Sequence, residues 1–514
     1  MIKKVVLISP PTQTNRNPEE NLGLEYLAAE SRISKHEVYL IDAWMENKSV
    51  NQIIKEVVVI NPIVVGISPS MDSFSNTYEI CDGLRKNGYS GKIVLGGIYA
   101  SFESEHIVKK VLSIDGILCG EADISFQQFL KSLDISKIPG AVYLKNKKII
   151  KNINSNRIDD LNTLPIPTRD TLPLVKLWKT PSHLMGSRGC YGNCSFCSVT
   201  CFQKFSSDKK WRGRSPESIV KELILLNKHG EKMIKFVDDN FFGYSNHKRE
   251  KKIANLIIKS GIKIRFRLSM RVNDVDEEII SILKKAGLFA VSLGVESFVQ
   301  RKLNYFEKGT TVEQNIRAIK ILKKNGIFVQ MGFIMFDPYT TMDEIKSELE
   351  ALSKINWVVT KGILSKLFAA DGTRITQKIN EEIGFIGKEG ANNLYEIKDT
   401  KARLFAKLLS YWTKKQDILY EMAIDPISSP KNISLTQMKK LHQCCRELKN
   451  LDIELAFLLH KKVVNNTIDE KDLFGFIDNY YHKYFEKIMK IKNRVEEIYS
   501  ASKLKFVANC NIRI

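Results

Sequence analysis

Four cysteines, Cys190, Cys194, Cys197 and Cys201, fall within twelve consecutive positions of a 514-residue chain that holds nine cysteines in all. In the spacing Cys190-x3-Cys194-x2-Cys197, three thiolates can each hold one iron of a [4Fe–4S] cluster. The fourth iron is then left without a protein ligand and can chelate the amino and carboxylate groups of S-adenosylmethionine (SAM). An electron from the reduced cluster would cleave the sulfonium and give a 5′-deoxyadenosyl radical. Zinc is the competing reading, with four ligands in two CxxC-like pairs and Cys201 as the last of them. Filling that last position would abolish SAM binding, and the chain downstream reads as a SAM site. Cys201 is therefore expected to be a neighbouring thiol, buried or near the pocket.

Composition narrows the setting. Hydrophobic residues make up 43% and charged residues 27%, which excludes collagen, coiled coil and wholesale disorder. The net charge of +21 comes from 79 Lys+Arg against 58 Asp+Glu. The lysines are spread along the chain without a block of like charge, so nucleic acid is not an expected partner. The start, MIKKVVLISPP, lacks a small-residue cleavage site, and no stretch approaches the roughly 18 apolar residues of a membrane span. The chain reads as cytoplasmic, with thiols or metal ligands rather than disulfides. The vicinal pair Cys444-Cys445 lies in a helical stretch, where neighbours point about 100° apart and chelate poorly together.

The elements that must position the cysteines fall into an α/β pattern followed by an all-α tail. Short apolar runs at Val5–Ser9, Val38–Asp42, Val64–Ser68, Ile93–Gly97 and Gly116–Gly120 alternate with helical stretches. That alternation predicts a doubly wound parallel sheet over 1–138. Its strand ends carry small residues (Ser9-Pro10-Pro11, Ser68-Pro69-Ser70, Gly96-Gly97, Gly120-Glu121-Ala122), a floor cleared for a large flat ligand. Residues 139–180 read as a hairpin and then a proline-rich, non-helical linker, DLNTLPIPTRDTLP. Six strand–helix units over 181–375 suggest a partial barrel, with strands at His183–Ser187, Met233–Val237, Ile264–Ser269, Ala290–Val295, Phe328–Met335 and Val358–Leu364. From 376 to 514 the pattern is helical throughout, a cap or substrate domain.

The segment Ser187-Arg188-Gly189-Cys190 through Cys197 resembles the radical SAM signature CxxxCxΦC, with Phe196 in the Φ place. Within that superfamily the chain is similar to the class B enzymes, the group of B12-dependent methylases and the oxidative cyclase of anaerobic chlorophyll synthesis. The narrower match rests on Gly96-Gly97-Ile98-Tyr99-Ala100-Ser101 followed by Cys119-Gly120-Glu121-Ala122-Asp123, with Tyr99 where histidine is common. It rests equally on barrel strand ends: Asp238-Asp239-Asn240, Ser269-Met270-Arg271, Glu296-Ser297 and Gln330 through Ile334. The stretch after Ile334 departs from the pattern, with Phe336-Asp337 where a glycine is usual.

The resemblance implies a [4Fe–4S] cluster, SAM and cobalamin as cofactors, an N-terminal cobalamin-binding domain, a partial (β/α)6 radical SAM core and the helical C-terminal domain. It implies cluster ligation by Cys190, Cys194 and Cys197. It implies SAM contacts from Phe196, Asp238, Asp239, Asn240, Ser269, Arg271, Glu296, Gln330 and Ile334. Cobalamin contacts are expected from Pro11, Ser68, Ser70, Met71, Gly96, Gly97, Tyr99, Ser101, Gly120 and Glu121. No DxHxxG motif supplies a histidine under cobalt, so base-off cobalamin is expected. The implied reaction methylates an unactivated carbon of a small molecule or natural-product intermediate, with electrons from a flavodoxin or ferredoxin. Alternatives are a cyclase or ring-rearranging enzyme without methyl transfer, an RNA-modifying radical SAM enzyme, and a B12-responsive regulatory protein.

Overall fold

The structure, a computed structural model, describes residues 2–12, 18–152, 156–205, 210–244, 246–360, 363–428, 433–466 and 469–502. Two compact units are formed, Met1–Tyr191 with Cys197–Leu225, and Gly192–Phe196 with Leu226–Ala508. The hairpin, the proline-rich segment and Cys197–Leu225 thus belong with the first unit, and Gly192–Phe196 and the helical tail with the second.

The first unit is built on β1 (Lys4–Ser9), β2 (Glu37–Asp42), β3 (Val64–Ile67), β4 (Lys92–Gly96), β5 (Gly116–Leu118), β6 (Ala141–Lys145) and β7 (Lys148–Lys151), in the order β2-β1-β3-β4-β5-β6-β7. The first five strands are parallel. Successive side chains point to opposite faces, so each strand buries two apolar rows. Val6 and Ile8 join Val65, Ile67, Leu95 and Ile117 under the helices Val50–Ile60 and Phe74–Lys86. Val5 and Leu7 join Val64, Val94 and Leu118 under Leu22–Ile33 and Ala122–Ser132. The hairpin does not stand apart: β6 and β7 extend this sheet antiparallel at its edge. Asn146 and Lys147 turn it with left-handed φ of 50° and 62°, the backbone a tight two-residue hairpin requires.

The proline-rich linker was expected to stay non-helical through Pro173. Instead a helix starts at Leu172 with Pro173 in its first turn, where its missing N–H leaves no bond unmade. Arg169, just before it, is the hub of a buried ionic cluster. Its Nη2 donates to Glu222 Oε1 at 2.5 Å and its Nη1 lies 3.3 Å from Glu20 Oε1. Thr171 Oγ1 donates to Glu25 Oε1 at 2.6 Å. Burial pushes the Glu20 and Glu25 carboxyls up, and Arg169 pulls them back. Nothing in the period of the sequence marked these residues.

β8 (Ser182–Leu184) and β9 (Ser187–Gly189) replace the single strand expected over His183–Ser187, and β9 pairs antiparallel with β10 (Trp211–Gly213). The second unit aligns β11 (Met233–Phe236), β12 (Arg265–Arg271), β13 (Leu288–Glu296) and β14 (Phe328–Phe333) as a parallel row. The strand expected at Val358–Leu364 is not formed in its described residues. Only isolated bridges, Gln330 to Val359 and Phe336 to Lys366, continue the sheet. The tail is not helical throughout either, because β15 (Gly387–Glu389) and β16 (Asn392–Leu394) form a small hairpin. Helices Thr400–Lys414, Asp417–Ser428, Leu435–Val464 and Glu470–Ala501 follow. Asp452, fully buried, ties three of them by accepting from Trp412 Nε1 (2.7 Å), Gln416 Nε2 (2.6 Å) and Tyr420 Oη (2.7 Å).

Burial raises the carboxyl of Asp42 to about 7 and that of Asp452 to about 6. Both unfolded values lie near 3.8. Between the two values the folded chain holds protons that the unfolded chain has released. Stability therefore falls as pH rises from about 4 towards 7 at these sites, then levels off. Asp42 caps the helix Ala43–Glu46 by accepting from Met45 N. Asparagine caps equally well. Asp42→Asn should keep the fold and flatten the slope of melting temperature between pH 5 and 7, measured by calorimetry. An unchanged slope would assign the pH dependence elsewhere.

Candidate functional site

In the first unit, parallel order places the carboxyl ends of β1, β3, β4 and β5 along one edge. The residues expected to hold cobalamin follow those ends. The Pro11 carbonyl accepts from Asn76 Nδ2 at 2.8 Å. Ser70 is locked to Ser73, its N–H and Oγ lying 2.8 and 3.1 Å from Ser73 Oγ. Met71 next to it is 44% exposed, an apolar side chain left at the rim. After β4, Gly97 has φ +88°, and a Cβ there would lie 2.9 Å from Ser68 Oγ. Ser101 joins two loops: its Oγ donates to the Gly97 carbonyl at 2.8 Å and accepts from Gly120 N at 3.0 Å. Tyr99 packs on Phe74 with ring centroids 5.5 Å apart. Ile98, between them in sequence, is 55% exposed. The edge is thus a shelf of small, tied-down residues with apolar side chains open at its rim.

Glu121 sits in this row yet points elsewhere. Its Oε2 accepts from Arg188 Nη1 at 2.9 Å, and its Oε1 pairs with Arg212 Nη2. Arg188 also forks onto Asp123 through Nη1 (2.6 Å) and Nη2 (3.0 Å). The Glu121 carboxylate therefore fastens the loop after β5 to β9 and β10, the strands that lead into and out of the cysteine motif. Its pairing with arginines far along the chain could not be seen from spacing.

Cys190 and Cys197 are half-buried and belong to the first unit; Cys194 is buried and belongs to the second. Cys201 is buried in the helix Ser198–Gln203. Among the described residues no three His, Cys, Asp or Glu side chains converge on one ion. Cys194 Sγ accepts from Arg271 Nη1 at 3.1 Å. A buried thiol that receives a cationic N–H has the donor chemistry of an iron–sulfur ligand.

In the second unit the strands present one polar row. Ser269 lies in register with Ser292, and Ser292 with Gln330. Arg267, a buried residue that sequence reading missed, donates to Ser292 Oγ and to Gln330 Oε1, the latter at 3.0 Å. A bulge between Gly294 and Glu296 shifts the pairing with β14, and Glu296 takes φ +68°. Bulges re-aim side chains. Here the Glu296 carboxylate swings over Gly294 and Gly332, where Cβ atoms would lie 3.0 and 3.1 Å from its oxygens. A donor was expected for this carboxylate, and Lys308 Nζ provides it at 2.9 Å.

Asp238 and Asn240 are buried and Asp239 is exposed. They do not cap the next helix, which starts only at Lys248. Asn240 Nδ2 donates to the Phe242 carbonyl (2.7 Å) and to Asp274 Oδ2 (3.2 Å), while its Oδ1 accepts from Arg271 N (3.1 Å). Phe196 packs edge-on against Phe306 at 5.6 Å, in one apolar cluster with Ile334, Leu367 and Ile375. Phe196 and Ile334 are thus brought together, beside the strand end that bears Glu296, whose carbonyl accepts from Ile334 N at 2.7 Å.

Family models match at two places: the radical SAM superfamily over residues 184–352 and the B12 binding domain over 12–130. An uncharacterized methyltransferase of Pyrococcus horikoshii is 30% identical over 371 residues, covering 69% of this chain and 79% of that protein. The anaerobic magnesium-protoporphyrin IX monomethyl ester cyclase of Rubrivivax gelatinosus is 28% identical over 323 residues, covering 58% of this chain and 55% of the relative. The chain therefore spans about half the length of that cyclase. A solved cobalamin-dependent S-adenosylmethionine radical enzyme, OxsB with aqua-cobalamin and S-adenosylmethionine bound, shares the fold. Its TM-score is 0.80 at 19% identity, covering 98% of this chain and 84% of that one.

Gly97 offers a direct check on the shelf. A non-glycine residue in left-handed backbone costs roughly 1–2 kcal/mol, and a methyl would also press on Ser68. Gly97→Ala should lower unfolding free energy by about that amount in urea titrations. It should also weaken retention of added hydroxocobalamin on gel filtration. Wild-type stability and retention in the variant would show the shelf to be more open than described.

Proposed function

The chain belongs to the radical SAM superfamily, in the group that carries a B12-binding domain, and on that premise we propose that it methylates an unactivated carbon of a small molecule. The cofactors of the family are a [4Fe–4S] cluster, SAM and cobalamin. When bound, they supply an electron, a radical and a transferable methyl group. The observation that carries the reading is the hydrogen bond from Arg271 to Cys194, within the second unit, at the end of a strand that carries the polar row.

The residues have separable tasks. Cys190, Cys194 and Cys197 are the cluster ligands. Phe196 and Ile334 offer an apolar slot for the adenine of SAM. Ser269, Asp238, Asp239, Asn240, Glu296 and Gln330 offer polar groups for its ribose and amino acid ends. Pro11, Ser68, Ser70, Met71, Gly96, Gly97, Tyr99, Ser101 and Gly120 form the cobalamin shelf, and Glu121 positions its last loop. Neither histidine before residue 181 lies on that shelf: His36 precedes β2 and His106 is on the helix Ser104–Lys110. Cobalamin is proposed to bind base-off without a histidine ligand. The proposed electron donor is a flavodoxin or ferredoxin. No described helix is long and apolar enough to cross a membrane. A second reading, radical cyclisation without methyl transfer, is favoured by the likeness to the Rubrivivax cyclase.

The chain, reconstituted anaerobically with iron, sulfide and cobalamin and then reduced, should cleave SAM to 5′-deoxyadenosine. Release of S-adenosylhomocysteine should depend on cobalamin. Cys194→Ala should abolish 5′-deoxyadenosine formation and lower bound iron. Cobalamin-independent 5′-deoxyadenosine with no S-adenosylhomocysteine would favour the cyclase reading, and no cluster uptake by the wild type would refute both.

A further inference from the structure

Arg271 terminates β12 with its backbone and its side chain both fixed. Its N–H donates to Asn240 Oδ1 at 3.1 Å and lies 3.3 Å from Asp274 Oδ2. Its guanidinium is buried, with Nη2 donating to the Lys308 carbonyl and Nη1 to Cys194 Sγ at 3.1 Å. The loop between the first two cysteines has been stripped to admit it. A Cβ on Gly192 would lie 2.2 Å from Nη1 and 2.8 Å from Cζ. The family resemblance assigns such an arginine to the carboxylate of SAM, but here both terminal nitrogens are turned to the protein, one of them to a cluster ligand.

We propose that Arg271 sets the reduction potential of the cluster by donating a charged N–H···S hydrogen bond to the Cys194 thiolate, a role that rests on the cluster reading above. Hydrogen bonds to cluster sulfurs and nearby positive charge are levers on potential. On reduction the cluster gains one electron, supplied by the external flavodoxin or ferredoxin, and no bond is made or broken. The added negative charge is shared by the sulfurs, so a donor on Sγ binds the reduced form more tightly and raises the potential. The guanidinium stays charged at every working pH, which makes the effect independent of pH. Its second anchor, the Lys308 carbonyl, holds the fork so that the bond persists in both states.

The test uses the full chain with cobalamin, reconstituted with iron and sulfide. A midpoint potential is taken from the electron paramagnetic resonance signal of the reduced cluster. A charged donor strengthens its bond to a sulfur that carries more negative charge. Arg271→Met should therefore make reduction at least about tenfold less favourable, a shift of ~59 mV to more negative potential. Arg271→Lys, which keeps the charge but not the planar fork, should fall between. Wild-type protein labelled with 15N-arginine should show 15N hyperfine coupling to the reduced cluster in pulsed spectra, and this measurement needs no variant to fold. Absence of that coupling, or an unchanged midpoint in Arg271→Met at full iron content, overturns the proposal. Failure of the wild type to take up iron and sulfide would instead overturn the cluster reading itself.

Discussion

Parallel strands finish at the same edge of their sheet, and this single constraint organises both units. Residues separated by dozens of positions, such as Pro11, Ser68, Gly97 and Gly120, arrive side by side without long loops to carry them. In the second unit the parallel register sets Ser269, Ser292 and Gln330 side by side within their strands. Both faces of such a sheet must be covered, because its strands bury side chains above and below. Helices therefore take the faces, and only the strand ends remain open for a ligand. What the strands cannot supply is orientation at their ends, which falls to glycines, bulges and ion pairs.

Buried charge supplies much of that orientation. Glu121 and Asp123 hold Arg188 and Arg212. Arg169 holds Glu20 and Glu222. Removing one partner from such a group strands the other, so each cluster tolerates few alternatives. Salt bridges of this kind add little net stability over apolar packing, yet they demand a particular geometry. Loops that must not drift, the one after β5 and the segment leading to Cys190, are tied by this means. The tail shows a related device with uncharged donors, where Asp452 accepts from Trp412 and Tyr420 on two helices and from Gln416 in the turn between them.

Much of this was legible from the amino-acid order, and the limits have physical causes. The strands of the first unit lie within a residue or two of their apolar runs, since a strand buried on both faces must be apolar along its length. The hairpin's membership in that sheet was not legible, because pairing at an edge is a long-range choice. Val358–Leu364 has the composition of a strand but forms only isolated bridges in its described part, so composition did not decide pairing. Pro173 misled through a rule about helix interiors that does not hold in a first turn. The cysteines and the glycine pairs were visible as local motifs. Lys308, Arg267 and Arg169 were not, since a single basic residue among so many carries no signal until its partner is placed.

Glu296 shows how these levels meet. An acidic residue ending an apolar strand must find a donor or remain protonated. The bulge and the left-handed φ turn it over Gly294 and Gly332, whose missing side chains leave room for the carboxylate. Lys308 Nζ then donates to it at 2.9 Å, which holds the carboxylate in place before any substrate arrives. A SAM ammonium or ribose hydroxyl that bound here would meet an acceptor already oriented. It would gain a hydrogen bond without having to desolvate a free carboxylate, and Lys308 would limit how tightly a second cation is held. Lys308 is also the residue whose carbonyl fixes Arg271, so the loop that tunes this acceptor is the loop that aims a guanidinium at Cys194. The Glu296 carboxylate and the Cys194 thiol are thus addressed by one short turn, Glu307-Lys308-Gly309, in which both flanking residues adopt positive φ.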